Sequence, residues 1–149
     1  MSTNSMTPEI ITMRIPSRLE LLSVVDSVTC SVCERMKFDG DSTSLVSMSV
    51  IEAGTNAIQH GHHRDATIPV DIEFQIFPDR LEVQVQDRGH GFDIETITGD
   101  ITTPEHLLDA RGRGIYIMRA CMDTVDFRFS EIGTLCRLTK RLPAAVPTG

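Results

Sequence analysis

Three short stretches of this chain hold residue types at spacings that could do chemistry. Glu52 and Asn56 stand four positions apart. On a helix that step turns the side chain by about 40° and moves it one turn along, so a carboxylate and an amide share one face. Polar groups on a mostly buried helix need partners, because burying them bare is costly. Asp87-Arg88-Gly89-His90-Gly91 follows Leu81, Val83 and Val85, which alternate with polar residues. Strand parity therefore puts Asp87 on the covered face at the strand's end, where a carboxylate is either paired or reading a ligand. Gly89 and Gly91 remove side chains where a flat ligand would approach the backbone. Arg111-Gly112-Arg113-Gly114-Ile115 reads as a glycine-rich turn feeding a helix N-terminus. Such a turn offers amides and the positive dipole end to phosphate, and Arg111 and Arg113 add charge. It is not a Walker A loop, since no Gly-Lys-Ser/Thr follows. Taken singly, each stretch has a bland reading: a surface hydrogen-bonding pair, a turn with glycines, a hinge.

Two other clusters read as structural. Cys30 and Cys33 form a Cys-x-x-Cys, but inside a helical pattern, and Cys121 and Cys136 are too far apart to complete a zinc site. Four reduced thiols acting as small hydrophobes are expected. His60, His62 and His63 crowd a helix end, where positive charge is favoured, and have only Asp65 as a carboxylate neighbour. Metal binding by these three is not expected.

The elements that must position these groups are legible from patterning. The chain has 149 residues, 40% hydrophobic and 23% charged, with a net charge of -7. That length suits one domain, and the composition suits a globule. The acidic balance argues against nucleic acid or anionic lipid as partner. No run approaches the roughly 20 apolar residues that span a bilayer. Residues 1–8 lack the apolar core of a secretory signal, so a cytoplasmic protein with no membrane partner is expected. Residues 10–15 read as a first strand. Ser17-Arg18-Leu19-Glu20 has the capping-box pattern, and Leu21, Val25, Val28, Val32 and Met36 recur at helical spacing, predicting a helix over about 18–37. Asp39-Gly40-Asp41-Ser42 breaks it and can cap a second helix over about 43–60, with Gly61 ending it. Residues 70–76 and 81–86 alternate about the turn Phe77-Pro78-Asp79-Arg80 and read as a hairpin. Residues 92–111 look like a long loop, the kind that is functional in a compact domain. A third helix over 114–122 and two strands, with a turn at Glu131-Ile132-Gly133, complete the order β-α-α-β-β-loop-α-β-β. The predicted class is α+β, a two-layer sandwich with helices on one face of a mixed or antiparallel sheet. The domain is expected over 9–142, with flexible tails at 1–8 and 143–149.

All three chemical stretches occur in order on the expected elements, and here the chain resembles the GHKL (Bergerat-fold) ATPases. Within them it is similar to the small anti-sigma factor serine kinases of the RsbW and SpoIIAB type. Glu52-Ala-Gly-Thr-Asn56-Ala-Ile-Gln-His60 matches the N box E-x-x-x-N-A-x-x-H, Asp87–Gly91 the G1 box, and Gly112-Arg113-Gly114-Ile115 the G2 box. The Ile15-Pro16-Ser17 entry and the hairpin match as well, so the resemblance spans nearly the whole chain.

What this resemblance implies is specific. Asn56 would hold the Mg²⁺ that bridges the phosphates of ATP. Asp87 would accept from the adenine amino group, and Gly89 and Gly91 would form the nucleotide floor. Residues 92–111 would be the ATP lid, and Gly112 and Gly114 would bring amides to the phosphates. Arg111 and Arg113 are candidates for neutralising phosphate charge, and Glu52 would be the general base. The hydroxyl attacked would belong to a STAS-domain anti-sigma factor antagonist, and a sigma factor would be sequestered in a partner switch. A homodimer is the family's habit. The competing reading is a nucleotide-dependent binding module with little or no kinase activity. Glu52 argues for the enzyme, because a pure binder needs no base there. An ATP-hydrolysing member of the wider fold, or a detached sensor-kinase domain, fits less well, given the short lid expected and the absence of a dimerisation helix pair.

Overall fold

The computed structural model describes residues 7–91 and 110–143. Strand β1 (Glu9–Pro16) leads through a short 3-10 turn (Leu19–Leu21) into α1 (Leu22–Arg35). Then follow α2 (Gly40–Thr55), a π-helical turn (Asn56–Gly61), β2 (Pro69–Ile76) and β3 (Arg80–Gln86). Helix α3 (Ala110–Cys121), β4 (Thr124–Phe129) and β5 (Thr134–Arg141) complete the described elements. The five strands form one sheet in the order β1-β2-β3-β5-β4, and every neighbouring pair is antiparallel. The predicted α+β class holds, with the antiparallel alternative the correct one.

Period-2 patterning does the work in the sheet. Ile72, Val85, Cys136 and Phe127 lie in register across four strands, and so do Phe74, Val83, Leu138 and Val125. These rows face the helices. Val25 and Val32 of α1, Val46, Val50 and Ala53 of α2, and Ile115 and Met118 of α3 close the core over them. The rows between, such as Asp71, Gln86 and Leu135, face the other way. The β2–β3 turn is closed by the Phe77 amide donating to the Arg80 carbonyl, and the Arg80 guanidinium lies 3.8 Å over the Phe77 ring.

Four local expectations are corrected. The capping box does not form: Glu20 pairs with Arg18, neither the 3-10 turn nor α1 has a side-chain cap, and the Ser17 hydroxyl is used elsewhere. Burial wins there, since Ser17 is 1% exposed and must be satisfied by groups below it. Helix α2 starts at Gly40, earlier than expected, because the Asp39 side chain accepts from the Ser42 amide. It does not remain α-helical to residue 60, and Gly61 is not a left-handed cap; His63 and Arg64 take the positive-φ positions. Helix α3 begins by Ala110, so Arg111, Gly112, Arg113 and Gly114 lie within a helix and not in a turn before it. Of the expected lid over 92–111, residues 92–109 lie outside the described residues, while Ala110 and Arg111 belong to α3 and not to a loop.

The four cysteines are free thiols, as expected. Burial pushes Cys33 up to about 11, which makes it a poor nucleophile.

Phe74 has no exposed surface and lies in the central register row. Phe74→Ala should therefore destabilise the domain by about 3–5 kcal/mol. Urea unfolding of both proteins, monitored by circular dichroism, measures this; a loss near zero would mean that the two layers are not held by this core.

Candidate functional site

Asp87 sits one residue beyond β3, where strand parity placed it, and is 8% exposed. Its Oδ1 accepts from the Gly89 amide at 2.9 Å and from the Thr134 amide at 3.1 Å. The Asp87 amide in turn donates to the Thr134 carbonyl at 2.9 Å, so the carboxylate is locked between its own turn and β5. Both side-chain bonds fall on Oδ1. Oδ2 lies against Gly61, where an added Cβ would come within 2.9 Å of it.

Glycine surrounds this carboxylate because nothing larger fits. A Cβ on Gly89 would stand 2.6 Å from the Gly61 carbonyl oxygen. Gly133 has φ +152°, a conformation that side chains rarely adopt, and a Cβ there would meet the Asp87 carbonyl oxygen at 2.0 Å. Gly91 has φ +83° and packs against the Phe129 ring. Gly89 and Gly91 were expected; Gly61 and Gly133 were missed, because their role comes from contacts distant in sequence.

Across from this turn, Ala53, Asn56 and Ala57 of the α2 region, Arg111 and Met118 of α3, and Val85, Phe127, Thr134 and Cys136 of the sheet line a narrow pocket with Asp87. Its open volume is about 20 Å³, enough for a water and too little for a nucleobase. Two of the pocket's polar groups differ in state. Burial pushes the Cys136 thiol up to about 12, helped by the nearby Asp87 charge, so it is a protonated wall. The Thr134 hydroxyl is buried and has no hydrogen-bond partner among the described residues. Such a buried hydroxyl, beside a carboxylate held through Oδ1, suits the polar edge of a ligand. Sequence reasoning passed over Thr134; its only signal was its place after the Gly133 turn.

Glu52 and Asn56 meet α3 at Gly114. A Cβ there would lie 2.8 Å from Glu52 Oε2 and 3.4–3.5 Å from the Asn56 amide atoms. The glycine therefore lets two oxygen-bearing side chains converge over the start of α3. Burial raises the Glu52 carboxyl above its ordinary value, while the nearby Arg113 charge opposes that rise. Asn56 is the first residue of the π-helical turn, which is closed by the His62 amide donating to the Ala57 carbonyl at 2.9 Å. Such single π turns occur often at functional sites.

The structure thus gathers Asn56, Asp87 and Arg111 around one pocket, and Glu52 and Gly114 beside Asn56. Gly112 is buried and Arg113 is exposed on the same helix. A larger groove of about 490 Å³ lies on the opposite, outer face of the sheet, lined by Arg14, Asp71, Glu73 and Gln84 among others. None of the predicted site residues belongs to it. No group of three or more His, Cys, Asp or Glu poised for a metal occurs among the described residues.

Helices cover one face of an antiparallel sheet, and an aspartate–glycine turn stands across from a Glu/Asn helix. The profile of the histidine kinase-like ATPase domain family matches residues 15–140, and the chain belongs to that family. Its relatives there include serine-protein kinases called RsbW. That of Bacillus subtilis (strain 168) is 34% identical over 137 residues, 89% of this chain and 85% of that protein. That of Bacillus velezensis is 35% identical over the same span. Among solved structures, the RsbU and RsbW domains of a Mycobacterium tuberculosis protein superpose with TM-score 0.65 at 14% identity, covering 94% of this chain and 35% of that one. The histidine kinase domain of a blue-light activated kinase from Erythrobacter litoralis superposes with TM-score 0.51 at 16% identity, covering 93% of this chain and 65% of that one. These two share the fold.

Gly133→Ala should displace the Asp87 backbone and destabilise the domain by about 1–3 kcal/mol. Gly40→Ala, with nothing within 4 Å of the new methyl, should leave stability unchanged or raised. Thermal unfolding of the two variants side by side checks this; equal melting temperatures would deny the tight cradle.

Proposed function

We propose that this chain is an anti-sigma factor with serine-protein kinase activity. It uses ATP to phosphorylate an anti-sigma factor antagonist of the STAS-domain type and holds a sigma factor in a partner switch. The observation that carries the reading is the locked Asp87 carboxylate beside the unpartnered Thr134 hydroxyl, within one pocket that Asn56 also lines. The family membership and the RsbW serine-protein kinase relatives support it. The reading takes 9–142 as the catalytic domain, the cytoplasm as its compartment and a homodimer as its assembly.

In this reading Asp87 Oδ2 accepts from the adenine amino group while the Thr134 hydroxyl bonds a ring nitrogen. Gly89 and Gly91 keep the floor flat. The Gly112 amide, in the opening turn of α3, serves the phosphates, Gly114 leaves room there for Glu52 and Asn56, and Arg111 and Arg113 offset negative charge. Asn56, a neutral oxygen donor next to the Glu52 carboxylate, suits a hard cation, and Mg²⁺ held there would neutralise the phosphate oxygens. Glu52 acts on the incoming serine. Its carboxylate takes the hydroxyl proton, the serine oxygen bonds the γ-phosphorus, and the bond to the β-bridging oxygen breaks to leave ADP. A raised carboxyl pKa makes Glu52 the better base for that proton.

Calorimetric titration with ATP and ADP, with and without Mg²⁺, tests the site. Asp87→Asn should abolish binding, because an amide offers the adenine amino group a donor in place of one acceptor oxygen. Unchanged affinity would remove Asp87 from the site. Glu52→Ala should keep ATP affinity and slow phosphoryl transfer to a STAS-domain protein by about 10²–10⁴-fold. Wild-type protein that binds nucleotide and transfers nothing would leave the nucleotide-dependent binding module in its place. Asn56→Ala should remove the Mg²⁺ enhancement of binding, and a full wild-type response would count against its role.

A further inference from the structure

His62 follows the π-helical turn and is 2% exposed. Its ring is held at both nitrogens. Nε2 lies 2.7 Å from the Arg88 backbone nitrogen, and Nδ1 lies 2.8 Å from the Ser17 hydroxyl. The Ser17 hydroxyl donates to the Ile68 carbonyl at 2.7 Å. These constraints fix the proton. An amide N–H can only donate, so Nε2 must present its lone pair; Ser17 has already spent its proton, so Nδ1 carries the hydrogen. The relay runs from Arg88 through neutral His62 and Ser17 to Ile68. It joins the Asp87 turn to the exit of β1 and to the lead-in of β2.

We propose that His62 is a positioning residue for the Asp87 turn: as the neutral ring it pins the Arg88 backbone through Nε2, and protonation at that nitrogen releases the turn. The effect on ligand rests on the reading of this pocket as the nucleotide site. Protonated Nε2 would face the Arg88 N–H donor to donor, and one bond of the turn would be lost. The groups around the ring are Asp87 and Arg88 from the turn, Asp65 from the segment after the π turn, and the uncharged Ser17. Burial opposes the charge most strongly, Arg88 adds to that, and the Asp87 and Asp65 carboxylates work against it. The ring's pKa is therefore lowered from 6.5. A histidine depressed in the folded state contributes stability that is present above the unfolded value and lost as pH falls through the folded one.

The test compares ADP affinity of the wild type, His62→Gln and His62→Leu from about pH 8 to about pH 4.5, a range that extends well below the ordinary histidine value because burial lowers that of this ring. Glutamine offers an acceptor near Nε2 that does not titrate. Wild-type affinity should fall about tenfold more than that of His62→Gln on acidification, the size of one lost hydrogen bond. His62→Leu should be weaker at every pH, and glutamine should recover most of that loss. Parallel wild-type and glutamine profiles would overturn the proposal. The ligand-free protein gives a second readout: the Arg88 amide resonance should titrate together with the His62 ring, whose spectrum should show the proton on Nδ1. An Arg88 amide indifferent to that titration overturns the proposal even where His62→Leu fails to fold. Should ADP bind neither wild type nor variants, the nucleotide reading fails, and the Arg88 resonance still decides the role of His62.

Discussion

The burial of a single carboxylate sets the terms for this domain. Asp87 lies almost out of solvent with two backbone amides on one oxygen. A carboxylate in that position is stable only if its donors are fixed, and they belong to two separated parts of the chain, the turn after β3 and the start of β5. Their approach requires that Gly89 pass the Gly61 backbone and that Gly133 pass the Asp87 carbonyl with no side chain between. The β3–β5 pairing supplies the register that brings Thr134 to its place, since Gln86 opposes Leu135. The layered core is thus the frame on which one buried charge is held.

Helix α2 links that frame to the chemistry. Val46, Val50 and Ala53 bury one side of it in the core over the sheet, while Glu52 and Asn56 look along another. The change from α to π geometry at Asn56 has a local result. One extra residue in a turn rotates everything beyond it by about 100°. The residues after the turn are thereby re-aimed, and His62 ends beneath Arg88. The same short stretch supplies the amide at its start and the imidazole at its end.

Much of this was written in local pattern. The alternation of Val70 to Val85 gave the central hairpin, and the Glu52–Asn56 spacing gave the shared face. Parity placed Asp87 correctly because a strand's period is indifferent to what lies across it. The failures were all tertiary. Ser17-Arg18-Leu19-Glu20 has the letters of a cap, but Ser17 is buried and bonds His62, which lies 45 positions on. The glycines at 112 and 114 suggested a turn, yet both lie inside α3, and Gly114 sits against Glu52 and Asn56. Gly61, Gly133 and Thr134 have no local motif of their own. Their importance is fixed by how closely distant backbone approaches Asp87, and no single-sequence period encodes that distance.

The opening of α3 has a consequence for the timing of ligand capture. Its first five residues include Gly112 and Gly114, each about 1 kcal/mol worse than alanine in a helix, and Arg111, a wall of the 20 Å³ pocket, stands among them. The wall is therefore mounted on a stretch of low helix propensity. A ligand that needs that wall to move would be captured through a minority conformer, and its observed affinity would be the intrinsic one scaled by that conformer's population. Encounter rate and residence time of such a ligand would then answer to helix propensity at Gly112 and Gly114.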